Sequence, residues 1–200
     1  MNRTSTTIPM LLALIALGAL MWFVAMPQVN APATIDNGNA PLKEVTTFEE
    51  CVAAGYPVME SYPRQCRTSG GESFTEFVGN EPEKTDLIRI SSPRPNEVIT
   101  SPLTITGEAR GTWFFEASFP IALTNWDGLI IAEYYAQAKD EWMTEEFVPF
   151  EAVLEFESPV PEGDDVQDFF KRGTLILQKD NPSGLPQFDD ALEIPVRFAD

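Results

Sequence analysis

Histidine is absent from this 200-residue sequence. That removes the usual general base near neutral pH, the Ser-His-Asp and Cys-His nucleophile systems, and zinc sites built on imidazole. There are two cysteines, so a four-thiolate metal site is excluded as well. Cations are scarce: 13 Lys and Arg stand against 31 Asp and Glu, a formal net charge of −18. Such a surface repels phosphate backbones and anionic headgroups, which argues against nucleic-acid partners. Long hydrophobic runs are lacking after residue 26, and no convincing long amphipathic helix follows.

The one long apolar run is IPMLLALIALGALMWFVAM, Ile8–Met26, which carries no charge. As a helix it would rise about 28 Å, close to the hydrocarbon thickness of a bilayer. Arg3 is the nearby cation on its N-terminal side, so residues 1–7 are expected in the cytoplasm and the bulk of the chain outside. Sites resembling A-x-A after the run are poor, which favours an uncleaved signal-anchor over a cleaved signal peptide. The expected location is therefore the cell membrane, single-pass. Residues 27–46 are rich in Pro, Asn and Ala and read as a flexible spacer.

Residues 47–80 form a small two-cysteine module. Thr47 followed by Glu50 suggests a capping box for a helix over Phe48–Ala54, ended by Gly55. Outside the cytoplasm, Cys51 and Cys66 are expected to form a disulfide. Glu81–Asp86 reads as a polar hinge.

From about residue 86 to 199 the pattern is almost entirely β. In FEAVLEFE, Phe150, Ala152, Leu154 and Phe156 share one face; in ALEIPVRF, Leu192, Ile194, Val196 and Phe198 do so. Pro195 in that last strand indicates an edge or a bulge. About seven such strands give an all-β, immunoglobulin-like antiparallel β-sandwich. Counting by two from Trp113 puts Trp113, Phe115, Ala117, Phe119, Ile121 and Leu123 on the inner face, with Phe114 and Glu116 on the outer.

The run SPL-x-x-x-G-x-A-R-G-x-W-F-F-E-x-x-F from Ser101, together with K-D-N-P-S-G from Lys179, resembles the bacterial spore-germination immunoglobulin-like domain. The resemblance spans about Ile88 to Phe198 and implies a β-sandwich at the bacterial envelope with no catalytic residues and no cofactor. It carries over no ligand-binding residue. The Cys51–Cys66 segment lies outside it and more loosely resembles a small envelope-type module.

Asp180, Asn181, Ser183, Asp189 and Asp190 have calcium-ligating chemistry, but D-N-P-S-G is also what a β-turn demands, and the latter reading is preferred, with no metal expected. Arg110, Phe114 and the turn residue Trp126 make a candidate partner-binding set, with an Arg110–Glu116 ion pair as the structural alternative for Arg110. The function these features imply is a non-catalytic, membrane-anchored extracytoplasmic module binding an envelope protein or polysaccharide. Two alternatives follow from other residues: a protease inhibitor using the braced loop Met59–Arg64, and a carboxylate-based cell-wall hydrolase, although nothing singles out two of the many carboxylates.

Overall fold

The computed structural model describes residues 44–199. The apolar run at 8–26 and the spacer up to residue 43 lie outside the described residues. Among the described residues no helix is long and apolar enough to cross a membrane.

The chain opens with helix α1 (Phe48–Ala53). Thr47 Oγ1 accepts the Glu50 N–H at 3.1 Å. The Glu50 carboxylate reaches back to the Thr46 N–H at 2.9 Å, one residue earlier than in a standard capping box. Three short strands follow, β1 (Val58–Met59), β2 (Gln65–Arg67) and β3 (Ser73–Thr75), paired in that order. The Cys51–Cys66 disulfide joins α1 to β2. With Phe48 buried beside it and Val45, Tyr56 and Phe74 packed around, this bond is the centre of a very small core.

Glu81–Lys84 forms helix α2, not an open hinge. Glu81 is buried and accepts from Arg94 at 2.7 Å and from the Tyr62 hydroxyl. Lys84 reaches Asp190. The polar sequence EPEKTD reads as a spacer because these partners are remote in the chain.

The remaining strands are β4 (Ile88–Ser92), β5 (Val98–Ile99), β6 (Leu103–Arg110), β7 (Ser118–Asn125), β8 (Ile130–Ala138), β9 (Phe147–Leu154), β10 (Arg172–Gln178) and β11 (Ala191–Phe198). They hydrogen-bond in the order β4-β6-β9-β8-β7-β10-β11-β5. The expected seven become eight because Val98–Ile99, within a proline-punctuated stretch, pairs in parallel with the end of β11. The contact between β8 and β9 is only two residue pairs long, Gln137↔Glu151 and Ala138↔Phe150. There the sheet folds over into two layers, β4-β6-β9 against β8-β7-β10-β11-β5.

Period-two burial builds the core. Val148, Phe150, Ala152 and Leu154 from β9 face Phe119, Ile121 and Leu123 from β7 and Leu192, Ile194, Val196 and Phe198 from β11. Across the layers the Phe119 and Phe150 rings meet edge-to-face at 5.0 Å between centroids. Gly107 on β6 is a close-approach position: a Cβ there would lie 2.2 Å from the Arg89 carbonyl oxygen and 2.6 Å from Phe150 Cζ.

The alternation expected from Trp113 onward does not hold as one strand. Gly111–Trp113 is a turn of 3-10 helix. Glu116 and Ala117 both have positive φ, 51° and 66°, and Phe115 and Ser118 exchange both backbone hydrogen bonds around them. This is a two-residue hairpin turn, built without the usual glycine or asparagine. It resets the register, so Phe115 is exposed while Trp113 and Phe114 are both buried. From Phe119 the alternation runs as expected. The segment Asp140–Phe147 contains no helical turn.

Pro195 sits where its missing N–H does no harm. It faces away from β10, beyond the reach of β5, and its carbonyl accepts from Asn96 N–H at 2.7 Å.

Candidate functional site

The three residues proposed from sequence are not brought together. Phe114 is a core residue, edge-to-face with Phe119 at 5.2 Å. The outer-face placement fails because the Glu116–Ala117 turn breaks the count. Arg110 does not pair with Glu116. Its guanidinium donates to the Asp86 and Glu145 carbonyl oxygens at 3.1 Å each, and lies 3.8 Å from the Glu146 carboxylate. It also stacks on the Phe147 ring at 4.1 Å, with Arg89 over the same ring at 4.0 Å. Trp126 lies at the other end of β7, roughly 25 Å along the strand from that cluster.

Around Trp126 a different site is assembled. Asn125–Gly128 closes the β7–β8 hairpin, with Asn125 Oδ1 accepting the Leu129 N–H at 2.8 Å and Gly128 at φ 85°. Trp126 is half exposed and meets Phe169 and Phe170 edge-to-face, at 4.8 and 5.7 Å. These two phenylalanines belong to a 3-10 turn, Asp168–Lys171, that leads into β10. Trp126 lines a cavity of about 330 Å³ together with Phe77, Asn96, Asn125, Arg172 and Arg197, and Glu49 of α1 contributes to its wall. Phe77 is 69% exposed, the largest aromatic exposure among the described residues. It also lines an adjoining cavity of about 300 Å³ over Thr174 and Pro195. A third, of about 380 Å³, lies over Pro120 and Ala122 beside Tyr135. Thr174, Pro195, Pro120, Ala122 and Tyr135 all point to the outer side of the five-stranded layer. The first two cavities share Phe77, Thr174 and Pro195 and form one trough with a small-residue floor and an aromatic rim, and the third lies separately on the same face.

Two arginines on adjacent strands share one carboxylate at its end. Asp168 accepts from Arg172 at 2.7 Å and from Arg197. The hydrogen bond from Arg197, then that from Arg172, brings the Asp168 carboxyl down to about 2. Its folded value lies below its unfolded value, so its contribution to stability is present above about pH 4 and is lost as pH falls toward 2. Asp168 is about half exposed, and solvent screening limits the effect to about 1 kcal/mol or less. We expect Asp168→Asn to lower urea-unfolding stability by that amount at pH 6, with the difference from wild type fading as pH falls from about 4 through 2. A difference unchanged across that range would mean the carboxylate charge is not what stabilises the turn.

The D-N-P-S-G segment has the hydrogen bonds of a turn. Gly184 N–H donates to the Asn181 carbonyl at 3.1 Å, Ser183 Oγ to Asn181 Oδ1, and Asn181 Nδ2 to Asp189 at 2.7 Å. Asp190 is bonded to Lys84. Burial, and then the nearby Glu116 charge, raises the Asp180 carboxyl above its ordinary value. Among the described residues no group of three or more acidic or thiol side chains is arranged to hold a metal ion. In the loop Met59–Arg64 the cation is committed to its own module: Arg64 makes a two-pronged pair with Glu76, at 2.6 and 2.8 Å, and lies over the Phe48 ring.

The sequence reading missed Phe77, Asn96, Phe169, Arg172 and Arg197. The adjacent aromatics at 169 and 170, straight after an acidic loop, were the one available signal.

Residues 87–169 match a family described as the immunoglobulin-like domain of bacterial spore germination. The match covers β4 to β9 and the start of the Asp168–Lys171 turn; β10, β11 and the disulfide module lie outside it. No curated protein matches the chain.

Proposed function

We propose, starting from a chain that carries an immunoglobulin-like domain of the spore-germination type, that it is a non-catalytic interaction module of the bacterial envelope. The module stands outside the cytoplasm and binds an envelope polysaccharide in the trough at Trp126. The reading is supported chiefly by the composition of that cavity. Half-exposed Trp126 and exposed Phe77 offer aromatic surface, Asn96 and Asn125 offer amides, and Arg172 and Arg197 offer fixed donors, over a floor of small side chains. Aromatic surface with a few placed polar groups suits a hydroxylated, largely uncharged ligand. A separate cavity over Pro120 and Ala122 lies on the same face, which suits a chain-like ligand over a compact one. The match to an immunoglobulin-like domain supports an interaction module, and the residues that line the cavity include no paired carboxylates. Its acidic character and its proposed membrane anchor at residues 8–26 fit a surface-displayed location.

The test is binding of the full chain to a panel of purified envelope polysaccharides by titration calorimetry. Trp126→Ala is expected to weaken binding at least about tenfold, the loss typical of a central aromatic contact. Met143→Ala, at the far end of the sandwich, should leave it unchanged. Equal binding by wild type and by a well-folded Trp126→Ala, Phe77→Ala double variant would reject the site.

A further inference from the structure

The sandwich manages its sheet edges unequally. At β11 the outer edge is closed. Asn80 donates its N–H to the Glu193 carbonyl and accepts the Glu193 N–H on its side-chain oxygen. Pro195 has no N–H to leave open, and Arg197 N–H goes to Glu97. At β4 the Ile90 carbonyl is taken by Arg94. The edge of β8 has none of these devices. β8 pairs with β7 along Ile130–Gln137, but with β9 only at Gln137 and Ala138.

The register fixes which groups are left. Ala138 N–H donates to Ala117, so the alternating hydrogen-bonded pairs of β8 with β7 fall at Ala136, Tyr134 and Ala132. The N–H and C=O groups of Glu133 and Tyr135 therefore point outward, in line with Gln137, where β9 is still paired. Among the described residues nothing bonds them. The side chains along this stretch are also open: Ile130, Tyr134 and Tyr135 are each half exposed. An unpaired, apolar strand edge is a template for another strand.

We propose that the open edge of β8, Ile130–Ala136, receives an extended basic segment of a partner protein by strand addition. The segment enters where β8 and β9 part. Charge selects the occupant. Glu133 is at the centre of the open edge, and exposed Glu155 follows directly on the end of β9. Lys139, the nearby cation, is held by Glu151 at 3.3 Å. A second copy of this chain would bring its own Glu133 and a net charge of −18 to the same edge. A strand with lysine or arginine on one face and apolar residues on the other matches Glu133 on the outer face and Tyr134 on the opposite one.

The probe is the synthetic peptide Lys-Val-Thr-Val-Lys-Val-Thr, added to the full chain and followed by amide hydrogen exchange. Protection is expected at the Glu133 and Tyr135 amides. Replacing the peptide lysines by glutamate should weaken binding at least about tenfold, and so should N-methylation of the peptide backbone. Tyr135→Pro removes the outward N–H without touching the bonds to β7 and should do the same. The methylated peptide keeps the test valid if that variant does not fold. Trp126→Ala should have no effect, which separates this edge from the polysaccharide trough. Absence of binding, equal binding of the acidic peptide, protection elsewhere than β8, or a dimer of the chain abolished by Tyr135→Pro would each overturn the proposal.

Discussion

Phe119→Ala should lower the stability of the sandwich by about 3–5 kcal/mol, the usual range for deleting a fully buried aromatic. For a domain of this size that is a fall of more than about 10 °C in melting temperature. Phe119 is fully buried and joins the two layers: its ring meets Phe114 from the turn before β7 and Phe150 from β9. Backbone pairing holds β7 between β8 and β10, so the strand cannot move inward to close the space. The cavity would persist at the point where the layers touch. Phe119→Leu should recover part of the loss. Chemical unfolding of both variants checks this, and a cost below about 1.5 kcal/mol for the alanine would show that the layers are not held together at this contact.

Cys51→Ser is expected to act locally and strongly. The module around the disulfide has three buried hydrophobic residues, of which two are the cysteines themselves. Losing a disulfide from so small a core costs about 2–5 kcal/mol, more than its remaining contacts supply. Residues 48–75 should lose hydrogen-exchange protection while β6, β7, β9 and β10 keep theirs. The ties to the sandwich are polar and partly exposed: the Asn96 side chain to the Glu76 carboxylate and the Phe77 carbonyl, and Tyr62 to Glu81. They position the module and line one wall of the trough without carrying the main core. A single cooperative loss of protection throughout residues 48–198 would contradict this division of roles.

The strands were legible because their inner faces repeat every two residues, and β9 and β11 read almost without error. What escaped was set by contacts remote in sequence. Glu116 and Ala117 adopt positive φ with no glycine or asparagine to announce it, so the burial of Phe114 and the exposure of Phe115 were inverted. α2 reads as a hinge until Arg94 and Asp190 arrive to hold it. Arg110 was assigned the wrong acid because its partners are carbonyl oxygens and the face of Phe147, none of which a charge pattern reveals. Trp126 is exposed at the end of the β7–β8 hairpin, as its turn sequence implies. The DG turn puts it at a loop end whatever the rest of the fold does, whereas Phe77 joins it only through the packing of the module against β11, and Arg172 and Arg197 only through the pairing of β10 with β7 and β11.

The central claim is that the partner sits against the outer face of the five-stranded layer at Trp126. A photo-crosslinking amino acid placed at position 126, 77 or 143 of the full chain, irradiated in intact envelopes, tests it most directly. All three positions are exposed, and 143 lies at the opposite end of the sandwich. The expected result is a shared adduct from positions 126 and 77 and none from 143. Adducts from 143 with none from 126 and 77 would contradict it.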